Sequence, residues 1–245
     1  MKTALITGCN GGLGKTLLKC FAEKGYNVLA CVFPESEEFT DYCKNIESDF
    51  GIRIKQIVFN YIDKVDFCRG LAEIDALDGS IDVLVNNAGI SIIKPIFNVE
   101  YEDLEKTFMI NYFSTVMITK VVAGKMIRQD GGGNIVNITS MVSLGSQPGG
   151  TCYDASKAAM NQLTKALSQE LAGFNIRVNA VAAAPMNTEM FQSLTEKTQK
   201  HATKAIAMKR PAETEEVAEA VLFLASEHAS FITGDILRVD GGAIV

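Results

Sequence analysis

The sequence predicts an α/β fold. It reads as a doubly wound, mainly parallel sheet of about seven strands with helices on both faces, formed as one domain across residues 1–245. Three observations predict it. Short apolar, β-branched runs recur along the chain, helical patterns fill the intervals, and the first run enters a glycine-rich turn that opens a helix. In order, residues 3–7 (TALIT) form the first strand, and the helical pattern 13–24 after the turn ends at Gly25. Strand 27–32 (NVLACV) leads to helix 37–50, strand 53–59 (RIKQIVF) to helix 65–76, and strand 81–86 (IDVLVN) to the long pattern 101–128. Strand 134–138 (NIVNI) precedes helix 153–172, strand 176–181 (IRVNAV) precedes helix 215–224, and 236–239 (ILRV) is the last strand. No linker, repeat or low-complexity segment interrupts this alternation. Ligands of such sheets bind beyond the carboxyl ends of the strands. Gly8, Asn86, Ser140 and Ala182 fall at those ends, so the chemistry-bearing segments converge on one edge.

The turn Gly8-Cys9-Asn10-Gly11-Gly12-Leu13-Gly14 places four glycines in seven residues between a strand and a helix. Glycine lets a backbone approach a pyrophosphate closely, and a helix N-terminus offers free N–H groups at a positive dipole end. A plain tight turn would use the same residues. The position within a βαβ unit favours a dinucleotide and makes the fold Rossmann-type.

Tyr153 is followed four residues later by Lys157 and preceded thirteen residues earlier by Ser140. On a helix, positions i and i+4 share a face. A free phenol has a pKa of about 10. A positive charge beside it favours the phenolate, so the spacing predicts a lowered pKa and a group that gives or takes a proton near neutral pH. A half-buried tyrosine beside a solvated lysine would show the same spacing.

In order and spacing, Thr7-Gly8-x-x-x-Gly12-Leu13-Gly14, Asn86-Asn87-Ala88-Gly89, Asn111, Ser140 and Tyr153-x-x-x-Lys157 resemble the motifs of the compact short-chain dehydrogenases/reductases. The resemblance runs from Thr3 to the 234–242 tail. It implies a catalytic set of Asn111, Ser140, Tyr153 and Lys157. Ser140 would donate a hydrogen bond to the substrate carbonyl oxygen, and Tyr153 would exchange a proton with that oxygen. Lys157 would lower the tyrosine pKa and bind the nicotinamide ribose. Asn111 would kink its helix and hold a water that links to the lysine. The implied cofactor is NAD(H) or NADP(H). Its contacts would be Gly8, Asn10, Gly12, Leu13, Gly14, Asn60, Asn87, Ala88, Gly89, Tyr153, Lys157, Met186 and Thr188, with Thr188 at the carboxamide.

Two departures stand out. Ala183-Ala184 occupies the place where the family usually has Pro-Gly, and alanine lacks glycine's conformational freedom, so the nicotinamide loop is expected to follow a different path. Val32 supplies no acid for an adenosine ribose, and neither Gly11 nor Phe33 supplies a base for a 2′-phosphate. Glu35, Glu37 and Glu38 would repel such a phosphate, which leans the reading toward NAD(H).

Composition narrows the remaining classes. Lysine plus arginine number 23 against 29 acidic residues, a net charge of −6, which argues against non-specific nucleic-acid binding. Six cysteines without a Cys-x-x-Cys pair read as reduced thiols. His201 and His228 are the two histidines, too few for a metal cluster or a histidine triad. No apolar stretch is long enough to span a membrane, Lys120 interrupts the most apolar helix, and Met1-Lys2-Thr3 enters a strand rather than a signal-peptide core. A cytoplasmic enzyme is expected, without metal, nucleic-acid or membrane partners.

Residues 186–210 read as a flexible lid. Met186, Met190, Phe191 and Leu194 would either line an apolar pocket with Ile92, Met141, Val142 and Leu144 or form the lid's own small core. The leading function is hydride transfer between nicotinamide and a ketone or secondary alcohol. A narrower version is reduction of a 3-oxoacyl group on carrier protein or coenzyme A, and lid lysines 197, 200, 204 and 209 could meet such a carrier. The alternative of another class is a nucleotide-binding regulatory protein with little turnover. Apolar residues on more than one face of helix 101–128, Met160, Leu163, Leu167 and Leu171 on helix 153–172, and a tail apolar to Val245 suggest a partner, and the resemblance, whose family pairs these helices and packs the tail at a second interface, implies a homotetramer.

Overall fold

Apolar, β-branched runs buried on both faces pair into a parallel sheet, because each crossover helix covers a face. The computed structural model describes residues 1–129 and 131–244; Asp130, Val245 and the side chains of Met190 and His201 lie outside the described residues. The first half contains β1 (Thr3–Thr7), α1 (Gly12–Glu23), β2 (Asn27–Val32), α2 (Glu37–Phe50), β3 (Ile54–Val58), α3 (Lys64–Asp75), β4 (Val83–Asn86) and α4 (Tyr101–Phe108). After a π-turn at Met109–Phe113 come α5 (Ser114–Arg128), β5 (Gly133–Ser140), a 3-10 turn at Met141–Leu144 and α6 (Tyr153–Leu171). The chain ends with β6 (Ile176–Ala183), α7 (Glu189–Gln192), α8 (Glu196–Thr203), α9 (Thr214–Ala225) and β7 (Ile236–Val239).

Seven strands pair in the order β3-β2-β1-β4-β5-β6-β7, every pair parallel. The direction of winding reverses between β1 and β4, which opens the crevice where such sheets bind ligands. Two apolar layers hold the sheet. Leu17, Phe21, Phe39, Val217 and Val221 pack on one face, and Phe67, Ile74, Ile118, Val122 and Leu171 on the other. Glu213 and Glu216 form a capping box that starts α9.

The long pattern 101–128 is not one helix. Its middle opens into the π-turn that holds Asn111, and such insertions bend a helix. Ser140 is the last residue of β5 rather than a loop residue past it, and β6 continues through Ala183 in register with Ser140. The segment 186–210 carries two short helices, α7 and α8, and is pinned at its base. Met186 bridges Ala212, and Arg210 pairs with Glu216 at 2.7 Å. No helix among the described residues is long and apolar enough to cross a membrane.

Candidate active site

The glycine turn is built against the end of β4. Gly8 has φ +66°, and a Cβ there would lie 2.9 Å from the Cα of Ala88. The Thr7 hydroxyl accepts from the N–H groups of Asn87 and Ala88, both at 2.9 Å. The Asn87 amide donates back to the carbonyls of Thr7 and Gly8, at 2.9 and 3.1 Å. A Cβ on Gly14 would lie 2.0 Å from the Gly8 carbonyl, so the first turn of α1 can pack down on the loop only with glycine there. Gly11, which caps α1, brings no side-chain acceptor to the first-turn N–H groups. Those free donors at a positive helix end suit a phosphate, so this cradle fits the dinucleotide that the motif predicts.

The other predicted cofactor positions surround the cradle. Asn10 donates to the Pro34 carbonyl at 3.0 Å and ties the turn to the loop after β2. The side-chain oxygen of Asn60 accepts from the N–H of Ile62, so it shapes the turn before α3. The Thr188 hydroxyl caps α7 by accepting from Phe191, and its methyl closes over Gly12, where a Cβ would come within 2.7 Å. Met186 packs against the main core at the start of the same loop. Ala183 and Ala184 are buried, and neither has a positive φ. β6 runs on through Ala183, and neither alanine adopts the positive φ that would call for glycine.

Tyr153, Ser140, Lys157 and Asn111 come together at the carboxyl edge. Tyr153 opens α6 half-buried, with Ser140 acting on its phenol. Lys157, one turn on, is buried; its Nζ donates to the Ile138 carbonyl at 2.9 Å and lies 5.9 Å from the Tyr153 ring centroid. A Cβ on Gly89 would meet the Lys157 Nζ at 3.2 Å and the Asn111 Oδ1 at 3.3 Å, so these two groups converge over Gly89. The π-turn aims the Asn111 side chain at β4's exit. Its Oδ1 accepts from the Ile90 N–H at 2.8 Å, and its Nδ2 donates to the Ile90 carbonyl at 3.0 Å and to Ser156 Oγ at 2.9 Å.

The electrostatics differ from what the Tyr153-x-x-x-Lys157 spacing predicts. The Tyr153 phenol is held above its ordinary value, not below it: burial raises it most, the Ser140 hydrogen bond lowers it, and the Asp154 charge raises it. Burial pushes the Lys157 ammonium down to about 8. Both charged forms lose solvation in this site, and that loss is the largest influence on each.

Spacing alone missed three supports. Ser156 joins Asn111 to α6, and its hydroxyl donates to the Tyr153 carbonyl at 2.7 Å. Asn161 donates to Ser143 Oγ at 2.8 Å, and the Ser143 hydroxyl donates to the Ser140 carbonyl. Asp154 receives the N–H of Gln147 at 2.9 Å. Positions 154, 157 and 161 share the face of α6 that carries the lysine, and this periodicity was the available signal.

The family model described as enoyl-(acyl carrier protein) reductase matches residues 8–243. The chain is 37% identical to a 3-oxoacyl-(acyl-carrier-protein) reductase of Thermotoga maritima, over 100% of this chain and 98% of that protein. It is 39% identical to a 3α-hydroxysteroid dehydrogenase of Mediterraneibacter gnavus, over 99% and 96%. A solved acetoin dehydrogenase from Enterobacter cloacae superposes with a TM-score of 0.88 at 32% identity, covering 98% of this chain and 94% of that one.

Proposed function

Because the chain belongs to the short-chain dehydrogenase/reductase family, we propose that Tyr153 is the group that gives and takes the proton, supported by Ser140, Lys157 and Asn111. The protein is an NAD(P)(H)-dependent oxidoreductase acting between a ketone and a secondary alcohol. The convergence of a phenol, a hydroxyl and a buried ammonium at the mouth of a glycine-lined phosphate cradle carries the assignment of roles.

In the proposed reaction the Ser140 hydroxyl donates to the substrate carbonyl oxygen and fixes it beside the Tyr153 phenol. Tyr153 passes its proton to that oxygen in reduction and recovers it in oxidation. A phenol held above its ordinary value stays protonated at neutral pH, the form that reduction uses. Lys157 supplies a positive charge to the site and binds the nicotinamide ribose. Asn111 links that lysine to solvent through a water, completing the relay. The bound nicotinamide cofactor supplies or accepts the hydride. Gly8, Asn10, Gly12, Leu13 and Gly14 would hold its phosphates, Asn60, Asn87, Ala88 and Gly89 its adenosine side, and Met186 and Thr188 its carboxamide. Residues 186–210 form the lid of this one-domain enzyme. An intact proton-transfer set argues against a regulatory protein without turnover.

The substrate reading is a carbonyl compound with an apolar flank. Phe191 is buried in the lid, while Leu194 is exposed. The relatives act, by their names, on 3-oxoacyl, steroid and acetoin substrates, and reduction of a 3-oxoacyl carrier thioester stays the second reading. A panel of diacetyl, a 3-oxosteroid and acetoacetyl-CoA, followed by loss of nicotinamide absorbance, tests both. Turnover of at least one ketone supports the function, and turnover confined to acetoacetyl-CoA selects the narrower reading.

For the cofactor, NADH is proposed to serve at least as well as NADPH. No base stands at Gly11 or Phe33, and Lys15, a cation beside α2, is engaged by Glu38 at 2.8 Å. The ratio of the two kcat/KM values with one ketone is the check. A strong preference for NADPH would contradict the proposal.

A homotetramer is proposed for the assembly. Phe113 and Met117 are exposed beside half-exposed Phe108, Tyr112 and Val116, and Phe97, Phe231 and Ile244 stand almost fully open. The contribution expected of α6 is smaller, because Met160 and Leu171 are spent on the core and Leu167 packs against it. Val245 lies outside the described residues. Light scattering should return about four times the 26.5 kDa of one chain; a mass of 26.5 kDa would refute the tetramer. The cytoplasm is the proposed compartment, in keeping with cysteines that remain free thiols.

A further inference from the structure

The chain beyond β7 turns back onto the site around a buried carboxylate. Asp240, the first residue past β7, is 4% exposed. Its Oδ1 accepts from the N–H groups of Gly242 and Ala243, at 3.1 and 3.3 Å, and its Oδ2 accepts from Arg238 Nε at 2.7 Å. Arg238 also donates to the Ala243 carbonyl. These bonds fold residues 240–243 into one tight turn, which Gly241 and Gly242 permit with φ of +59° and +74°.

The turn is pressed against the end of the segment 186–210. A Cβ on Gly241 would fall 2.8 Å from Ile206 Cγ2, and one on Gly242 would fall 3.2 Å from Ala207 Cβ. Two backbone bonds join the pieces. The Met208 N–H donates to the Gly241 carbonyl at 3.1 Å, and the Ile244 N–H donates to the Ala205 carbonyl at 3.0 Å. Ile206, held between those bonds, is buried in a cluster with Met141, Val142, Ala184 and Ala243, and Tyr153 packs against that cluster. Lid and tail therefore meet beside the proton-transfer phenol.

The rest of this stretch is less firmly seated. Lys209 stands at φ +56°, a conformation that a residue with a side chain keeps only where its surroundings impose it. Behind it a cavity of about 120 Å³ separates the lid base from the sheet, with Met208, Ala212, Val239 and Gly241 among its walls. Residues 205–208 thus take their position from the tail. We propose that Asp240 is a positioning residue: it folds residues 240–244 into a latch that keeps the end of the lid, and Ile206 with it, closed beside Tyr153. The inference rests on the reading of 186–210 as the substrate lid. Asp240 acts through Ile206, so its effect falls on ketone binding rather than on proton transfer.

Hydrogen exchange read by mass spectrometry follows the two latch amides, Met208 and Ile244, without any substrate. Asp240→Ala removes the acceptor that folds the turn. Exchange in peptides covering 205–209 and the tail should then quicken by roughly tenfold. KM for the most active ketone should rise by about the same factor while kcat changes less than about threefold. Glu47→Ala is the control for a general loss of stability. It deletes a carboxylate that accepts from the Ile54 N–H at 2.7 Å, beside β3 at the opposite edge of the sheet. It should leave both the latch peptides and KM unchanged. Gly241→Ala keeps the carboxylate but drives the tail off Ile206, so it should reproduce both changes even where Asp240→Ala fails to fold. Unchanged exchange in a folded latch variant overturns the proposal, as does a rise in KM shared by Glu47→Ala. Faster exchange with an unchanged KM overturns it in a different place, by removing the lid reading on which it rests.

Discussion

Tyr153→Phe should abolish most turnover while leaving the fold and the cofactor affinity unchanged. The ring and its packing against Met141, Val142 and Ile206 remain, and only the hydroxyl is lost. A positioned general acid contributes roughly 10²–10⁴-fold to rate, so kcat and kcat/KM should fall together by that order. A group that acts mainly in the transition state gives that pattern, whereas loss of substrate binding would raise KM alone. The measurements are steady-state kinetics with one active ketone, circular dichroism for the fold, and cofactor titration by fluorescence. Near-native turnover would remove Tyr153 from the mechanism.

Lys157→Ala should lower both turnover and cofactor affinity. The ammonium is buried, donates to the Ile138 carbonyl and lies over Gly89 with Asn111, so no nearby side chain replaces it. A charged hydrogen bond is worth about 1.5–3 kcal/mol, which corresponds to roughly 10- to 100-fold in affinity. The native protein carries a matching pH signature. Burial depresses the lysine to about 8, so its ammonium is present below that pH and lost above it. The reductive kcat/KM should therefore decline as pH rises through about 8, and that limb should vanish in Lys157→Ala. Unchanged cofactor affinity in the variant would contradict the ribose role.

The sheet was legible because its signals are local. TALIT, NVLACV and the runs after them are apolar on both faces, as buried parallel strands require, and the structure pairs every predicted strand. The site edge was legible for the same reason: strand ends mark it. The kink at Asn111 came from the resemblance rather than from the residue pattern, and the π-turn stands there. What stayed hidden depends on distant contacts. Apolar residues of a helix look alike whether they face a sheet or a partner, so Met160 and Leu171 could be assigned to the core only from the fold. Whether the two alanines at 183–184 replace a required glycine depends on their φ, which the sequence does not show and which is not positive at either. The direction of the Tyr153 shift was missed because spacing reports charges and says nothing of burial, the larger influence here. Asp154 was silent because its partners, Gln147 and Gly150, meet it only once the β5 exit has folded back onto α6.

The most direct test of this oxidoreductase follows the hydride itself. The wild-type protein is incubated with a nicotinamide cofactor deuterated at the transferring carbon and with the most active ketone of the panel, and the alcohol is analysed by mass spectrometry. One deuterium should appear on the carbinol carbon, on a single face, at a rate slowed by the isotope. Product without deuterium, or cofactor that binds and is never consumed by any ketone, would contradict the account.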